Sequence, residues 1–458
     1  MAFQQGLSGL NASSKAIDVV SNNIANAGTA GFKSAAAHFA DVYAASLAGG
    51  GAAQIGIGTS LAAVQQQYTQ GNITTTNNPL DVSINGNGFF RMDQNGSISY
   101  TRNGQFHLDK NGFIINDQNL KLTGYAADSN GVIVPSTPTP IQVSAADLSP
   151  VATGASVGSS FQGVKAQVNM DSRASMATNV WSNGPATGKW TPDPSTYNYS
   201  TALSVYDTLG NAHTLTLYFV KGQGSGDWGV MANVDGTTNQ RVTLSLPASV
   251  PPLPPLASAN IGTVATPVNV PGLNFNTSGI LNSTTASPKF HISIDLAGVQ
   301  SDLGKPNNAA TPLAFDMDFT GSTQFGSPFG NNKLDQDGYS SGRLTGLSVG
   351  ADGVIQGRYS NGQTRAQGQV VLANFTNPNG LQSQGNNQWI ETSVSGVATV
   401  GAPNTSSLGV LQSASVEESN VDLTAELVNM ITQQRNYQAS AQSIKTQDQI
   451  MQTLVNLR

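Results

Sequence analysis

The sequence predicts a mainly β protein with an α-helix at each terminus, nested so that both ends of the chain return to one place. Three observations predict it. Apolar residues recur at spacings of three and four only near the two ends of the 458 residues. Between them, Asp-x-Asn-Gly and Asn-Gly sequences punctuate short β-rich runs. Charged residues make up only 10%, with 49 Gly and 21 Pro, where an ordinary domain has roughly 25% charge. The surface is therefore uncharged polar, as in turn-rich β proteins.

Taken in order, Phe3, Leu7, Leu10, Ser14, Ile17, Ser21 and Ile24 form a coiled-coil-like seam of alternating fours and threes. Gly28 and Gly31 are expected to end that helix, and Gly6 and Gly9 lower its propensity. The turns Asp93–Gly96, Asp109–Gly112, Asp128–Gly131 and Asn361-Gly362 separate strands at Ser83-Ile84, Phe89-Phe90, Phe113–Ile115 and Gln369–Leu372. A type I′ hairpin, with positive φ at both central residues, is the expectation for them. From 146 to 339 the chain is richer in Thr, Ser, Pro and Gly. Strands are expected there at Ala202–Tyr206, His213–Val220, Arg241–Leu246 and Phe290–Leu296, with Pro251–Pro255 as a polyproline loop. A second seam closes the chain: Leu423, Leu427, Met430, Gln434, Tyr437, Ala441, Ile444, Met451 and Val455, its frame broken at Asp448 where Ile450, Leu454 and Leu457 take over. Ser419 followed by Asp422 reads as its capping start. No helix is expected between the ends.

The economical organisation pairs 1–30 with 419–458 as a helical domain, joined through connecting segments 31–69 and 401–418. A β-rich middle domain then draws on 70–145 and 340–400, and 146–339 is an inserted β-rich outer domain.

Chemistry is mostly excluded. A net charge of −6 without any basic cluster argues against nucleic acid. With no cysteine and four scattered histidines, thiolate and clustered-histidine chemistry is absent. Asp335, Asp337 and Gly338 resemble part of a calcium loop, but Lys333 and Leu344 occupy ligand positions. Gly86-Asn87-Gly88 lacks the third glycine of a dinucleotide fingerprint, because Arg91 stands there. No catalytic, metal or cofactor residues are expected. The start, Met1–Gln5, lacks the pattern of a cleaved signal, and no run is long enough to insert in a membrane. A glycan-binding or glycan-cleaving protein is the alternative, resting on Trp181, Trp190, Trp228 and Trp389. Against it stand the two terminal seams. Their flanks carry almost no charge, which suits helices packed among copies of themselves. The expected polymerisation interface is Phe3, Leu7, Leu10, Ile17, Ile24, Leu423, Leu427, Met430, Tyr437, Ile444, Met451 and Leu454.

Several stretches carry a resemblance. Ser21-Asn22-Asn23-Ile24-Ala25-Asn26 leading into Gly31-Phe32-Lys33 resembles the signature of the axial (rod and hook) proteins of the bacterial flagellum. Ser419, Asn420 and Asp422, then Met430–Ala439 with Arg435, are similar to that family's closing helix. Asn85–Phe90, Tyr100–Phe106 and Tyr359–Gln363 resemble the β domain of its hook and distal-rod branch. The insert at 146–339 and the Gly31-Phe32-Lys33 sequence bring the chain nearest the hook proteins, with distal rod and hook-filament junction subunits as alternatives. The resemblance implies a structural subunit without enzymatic activity or cofactor, polymerising into a curved hollow tube that transmits motor torque. It implies further copies of the chain, the distal rod protein, the junction protein and the hook cap protein as partners. It also implies export through the flagellar type III apparatus to an extracellular location.

Overall fold

The computed structural model describes residues 2–42, 56–128, 131–144, 146–155, 162–245, 258–263, 266–282 and 289–456. Side chains are described in the same stretches except at 2, 258–269 and 454–456. The polyproline stretch Pro251–Pro255, Ser129 and Asn130 of the third expected turn, Leu246, Leu457, and the side chains of Leu454 and Val455 lie outside this description.

The protein is mainly β. Its chain divides into two compact units, one of Met1–Ala145, Thr345–Arg358 and Thr364–Arg458, the other of Ala146–Leu344 and Tyr359–Gln363. In the first unit, helix α1 (Ala2–Ala25) is followed by an antiparallel hairpin, β1 (Ala35–Val42) with β2 (Gly58–Gln66). This hairpin occupies the stretch expected to be a plain connector. A thirteen-stranded sheet follows, and two small pairs tie the incoming and outgoing chain together: Val82–Asn85 with Val410–Ser413, and Ile73–Thr75 with Ser415–Glu417. The last helix, α3 (Leu423–Asn456), has 34 residues and is roughly 50 Å long. Aromatic side chains build the core of the sheet. Phe89 meets Tyr68, Phe375 and Trp389 edge-on, and Trp389 is buried.

The second unit is a two-sheet sandwich. Strands Tyr199–Tyr206, Ala212–Lys221, Asp227–Val234, Thr266–Asn274 and Ser258–Thr263 make one sheet. The six-stranded other sheet is organised on Val164–Asp171, which pairs parallel with Leu313–Asp318 and Thr323–Phe325 and antiparallel with Gly330–Gln336. Their inner faces share one core that includes Val168, Phe219, Trp228, Phe290 and Phe319.

Three local expectations are corrected. A short helix, α2 (Leu296–Leu303), stands in the insert, started by the Asp295 carboxylate accepting from the Gly298 amide and stopped by Gly304 at φ 66°. Eight residues are too few for periodicity to reveal. The Asn-Gly turns also differ among themselves. Asn95 (φ 53°) and Gly96 (φ 94°) both have positive φ and close the Phe89–Gln94/Ser97–Thr101 hairpin as expected. At Asn111-Gly112 and Asn361-Gly362 only the glycine has positive φ. At the first of these the Asp109 carboxylate instead accepts from the Asn111 and Phe113 amides. Finally, Asp422 rather than Ser419 caps α3, accepting from the Thr424 and Ala425 amides at 2.9 and 3.1 Å.

The shared core makes a testable claim about the second unit. Phe319 has no exposed surface and packs edge-on against Phe290 at 5.5 Å and Phe219 at 6.3 Å. Phe319→Ala should destabilise the sandwich by about 3–5 kcal/mol. Urea unfolding followed by tryptophan fluorescence measures it, Trp228 lying in the same core.

Candidate functional site

Helices α1 and α3 pack antiparallel. A side chain at Gly6 would press on Ile444 at 2.9 Å, and one at Gly9 on the Ser440 hydroxyl at 3.0 Å. Farther along, Asn23 Nδ2 donates to Glu426 Oε1 at 3.0 Å. Residue numbers rise along one helix as they fall along the other. On α1, Gly6, Gly9, Ser13, Ala16, Val20 and Asn23 repeat at threes and fours, and Ser13, Ala16 and Asn23 are buried. This stripe of mostly small residues is displaced by one position from the apolar seam. Glycine in it leaves room for the Ile444 and Ser440 side chains to approach closely, at some cost in helix propensity.

The seam residues are left largely open. Phe3 is 51% exposed and Leu7 44%, while Leu10, Ile17 and Ile24 are half-buried. On α3, Leu423, Leu427, Tyr437 and Met451 are exposed, and Met430 and Ile444 are half-buried. Val428 and Ile431, outside the expected set, are exposed as well.

The signature residues gather elsewhere, where the chain leaves α1 and approaches α3. Lys33 and Glu417 form an ion pair at 2.7 Å with both side chains wholly buried. The other Glu417 oxygen accepts from Arg102 Nη1 at 3.1 Å. Lys33 Nζ also donates to the Thr69 carbonyl at 2.7 Å, Arg102 Nη2 to the Gly86 carbonyl at 2.9 Å, and the Gly71 amide to Glu417 Oε1 at 2.9 Å. The Arg102 guanidinium lies 5.4 Å from the centre of the Phe89 ring. Burial lowers the pKa of the Lys33 ammonium, a shift that Glu417 opposes.

Three further signature residues complete the junction. Asn23 exchanges two bonds with the backbone of Ala35, accepting at 2.9 Å and donating at 2.8 Å. Asn420 accepts from the Ser34 amide at 2.7 Å and donates to the Gln67 carbonyl at 2.7 Å. Gly31, at φ 71°, has its amide on the Glu417 carbonyl, and a side chain there would meet the Asn103 backbone at 2.6 Å. Phe32, Asn26 and Ser419 are half-buried, whereas Ser21, Asn22 and Arg435 are exposed. Asn26 donates back to Asn22 across one turn. Glu417 and the role of Arg102 were missed by the sequence reading. In a chain with so little charge, an Arg inside a glycine- and asparagine-rich turn was the available signal.

Among the described residues no cluster of metal-ligating side chains occurs, and no helix is long and apolar enough to cross a membrane. Trp228 and Trp389 are buried in cores, and Trp181 packs on Trp190 and Tyr218.

Four family models match successive parts of the chain. They are the flagella basal body rod protein (3–33), the flagellar hook protein FlgE/F/G D1 domain (83–147), the flagellar basal body protein FlaE D2 domain (169–339) and the flagellar basal body rod FlgEFG protein C-terminal region (412–457). The chain is 40% identical to the flagellar hook protein FlgE of Salmonella typhimurium over 466 residues, covering 100% of both chains. Against FlgE of Escherichia coli identity is 40% over 465 residues, again with 100% of both covered. Against FlgE of Borreliella burgdorferi it is 30% over 481 residues, with 100% of this chain and 99% of the other covered.

Two measurements probe this site. An ideal Cβ at Gly9 stands 3.8 Å from Ser440 Cβ, the usual separation in a disulfide. Because the chain has no cysteine, Gly9→Cys with Ser440→Cys should oxidise to one intrachain bridge, seen as a faster monomer band on a non-reducing gel. Interchain dimers instead would argue against the antiparallel pair. Glu417→Gln leaves two buried cations without a counter-ion and should cost about 3–5 kcal/mol. Part of that loss should return as pH rises into the alkaline range, where Lys33 sheds its proton more readily in the folded than in the unfolded chain. Thermal melts at two pH values check both effects.

Proposed function

The chain belongs to the flagellar hook protein family and is a structural subunit of the bacterial flagellar hook; from that premise we propose how it assembles. Helices α1 and α3 of one subunit pair in a coiled-coil-like manner and present their remaining apolar residues to neighbouring copies. Phe3, Leu7, Leu10, Ile17, Ile24, Leu423, Leu427, Met430, Tyr437, Ile444, Met451 and Leu454 make that interface. The observation that supports this most directly is the offset between the two stripes of α1. The small stripe meets α3, while Phe3 and Leu7 remain about half exposed on the neighbouring line. A free helix has no use for such residues, whereas each one buried on assembly contributes roughly 1.5–3 kcal/mol.

On this reading residues 1–30 and 419–458 line a hollow tube, 70–145 with 340–400 form a middle layer, and 146–339 forms the outermost one. The tube would act as the curved joint that transmits torque to the filament. Its ends would meet the distal rod protein and the hook-filament junction protein, with the hook cap protein guiding growth. The subunit would reach this extracellular position through the flagellar type III apparatus. The family is structural and not enzymatic. The uncharged seam supports self-assembly over a glycan-directed function.

Leu7→Asp and Leu427→Asp test this reading. Both side chains are only about half covered in the single chain, so the subunit should lose no more than about 1 kcal/mol of stability. Tubes seen by negative-stain electron microscopy should disappear. Tubes of normal length from either variant would remove the seam from the interface.

A further inference from the structure

In the first unit, the segment from Thr392 to Val397 displays two valines while everything around them is anchored. Val394 is 67% exposed and Val397 85%, yet Ser395 between them is wholly buried. The Thr392 amide donates to Ser395 Oγ at 2.9 Å, and Thr392 Oγ1 donates to the Gly380 carbonyl at 2.6 Å while accepting from the Val394 amide at 3.1 Å. Asn377 holds the same loop from the other side, donating from Nδ2 to the Val394 carbonyl at 3.2 Å and from its amide to the Ser395 carbonyl. A side chain at Gly380 would meet the Ser395 amide nitrogen at 2.5 Å, so the two turns are in direct backbone contact. Past the valines, the Ala398 amide is held by Glu391 at 3.3 Å, and Ala398 packs on the aromatic cluster of Phe89, Phe375 and Trp389.

These bonds all lie within the single chain. Contact made by the valines therefore stabilises an assembly without a compensating loss of loop entropy. From 392 to 400 the chain carries no charge, so a mate needs no complementary ion. The family's subunits self-assemble, so another copy of this low-charge chain is a mate at hand for this loop.

We propose that Val394 and Val397 form a preorganised apolar knob that docks against a second copy of this chain in the hook. This inference rests on the polymer reading above but is separate from the helical seam. In an open helical polymer the contact is heterologous, so the knob of one copy meets a different, uncharged patch on the next.

The test uses the full chain. Val394→Asp with Val397→Asp should leave the monomer's circular dichroism and melting unchanged, because both side chains are in water. It should raise the critical concentration for tube formation by about tenfold, the loss expected from roughly one buried valine-sized contact. Val394→Ala with Val397→Ala should shift it in the same direction by less. In a second arm, Val397→Cys carrying a benzophenone maleimide is irradiated within tubes. A product of two copies of this chain supports the knob. A wild-type critical concentration for the Asp pair, no cross-link, or capture of a different hook component would each overturn it. If wild-type chain makes no tubes, the polymer reading itself fails; if only the knob variants behave as wild type, this inference alone fails.

Discussion

One buried carboxylate joins four stretches of chain that are distant in sequence. Glu417 receives Lys33 from just after α1, the Gly71 amide from just after β2, and Arg102 from a turn of the sheet. Its own backbone carbonyl holds the Gly31 amide. Burying such ions is no efficient source of stability, since desolvation offsets much of their attraction and an apolar replacement is often as stable. What the arrangement supplies is geometry. A misplaced Lys33 would leave a bare charge in the interior, so competing paths for the chain between α1 and the sheet are disfavoured. Asn23 and Asn420 extend the same control to the helices, one reaching Glu426 of α3 and the other the strand-edge carbonyls at 67 and 69. The direction in which both helices leave the β body depends on this junction.

With that direction set, the one-position offset along α1 sorts its residues into two tasks. Small residues allow the α1 and α3 backbones to approach closely, as Gly6 does against Ile444. Close approach leaves no room for the larger residues between the helices, and they remain on the adjoining line. A helix with large residues on both lines would hold α3 farther away and expose more apolar surface. One with small residues on both would have little to offer a neighbour. The two stripes together suit an intrasubunit contact that is short-range and an intersubunit contact that is hydrophobic.

Much of this architecture was legible in the sequence, and the exceptions share physical causes. Terminal helices, the turn at Asn95-Gly96 and the strands in both halves follow from periodicity and positive φ, which are local properties. The stripe of Gly6, Gly9, Ser13 and Ala16 was invisible because hydrophobic spacing registers only large residues. Helix α2 escaped because its signal is two caps, Asp295 and Gly304, around only two turns. The seam is a pattern of large residues, and a pattern does not say which line of a helix meets its own chain. The junction was half visible: Lys33, Asn23 and Asn420 belong to recognisable motifs, whereas the Lys33–Glu417 pair spans 384 positions. No local rule links residues so far apart.

The distribution of charge connects the junction to assembly. In a homopolymer every surface feature is repeated on the next copy, so a net charge on a packing helix would face itself along the whole tube. Helix α1 contains one Lys and one Asp, Lys15 and Asp18, which pair with each other at 3.4 Å. Helix α3 contains Glu426, Arg435, Lys445 and Asp448, two of each sign. Both helices are therefore neutral as rods, and Glu426 is further occupied by Asn23. The local imbalance of charge in this region, two cations against the single carboxylate of Glu417, is buried in the junction where no copy can meet it. Neutral rods permit neighbours to pack through apolar contacts that tolerate small shifts in register. The junction charges of Lys33, Arg102 and Glu417, whose geometry tolerates none, are kept inside each subunit.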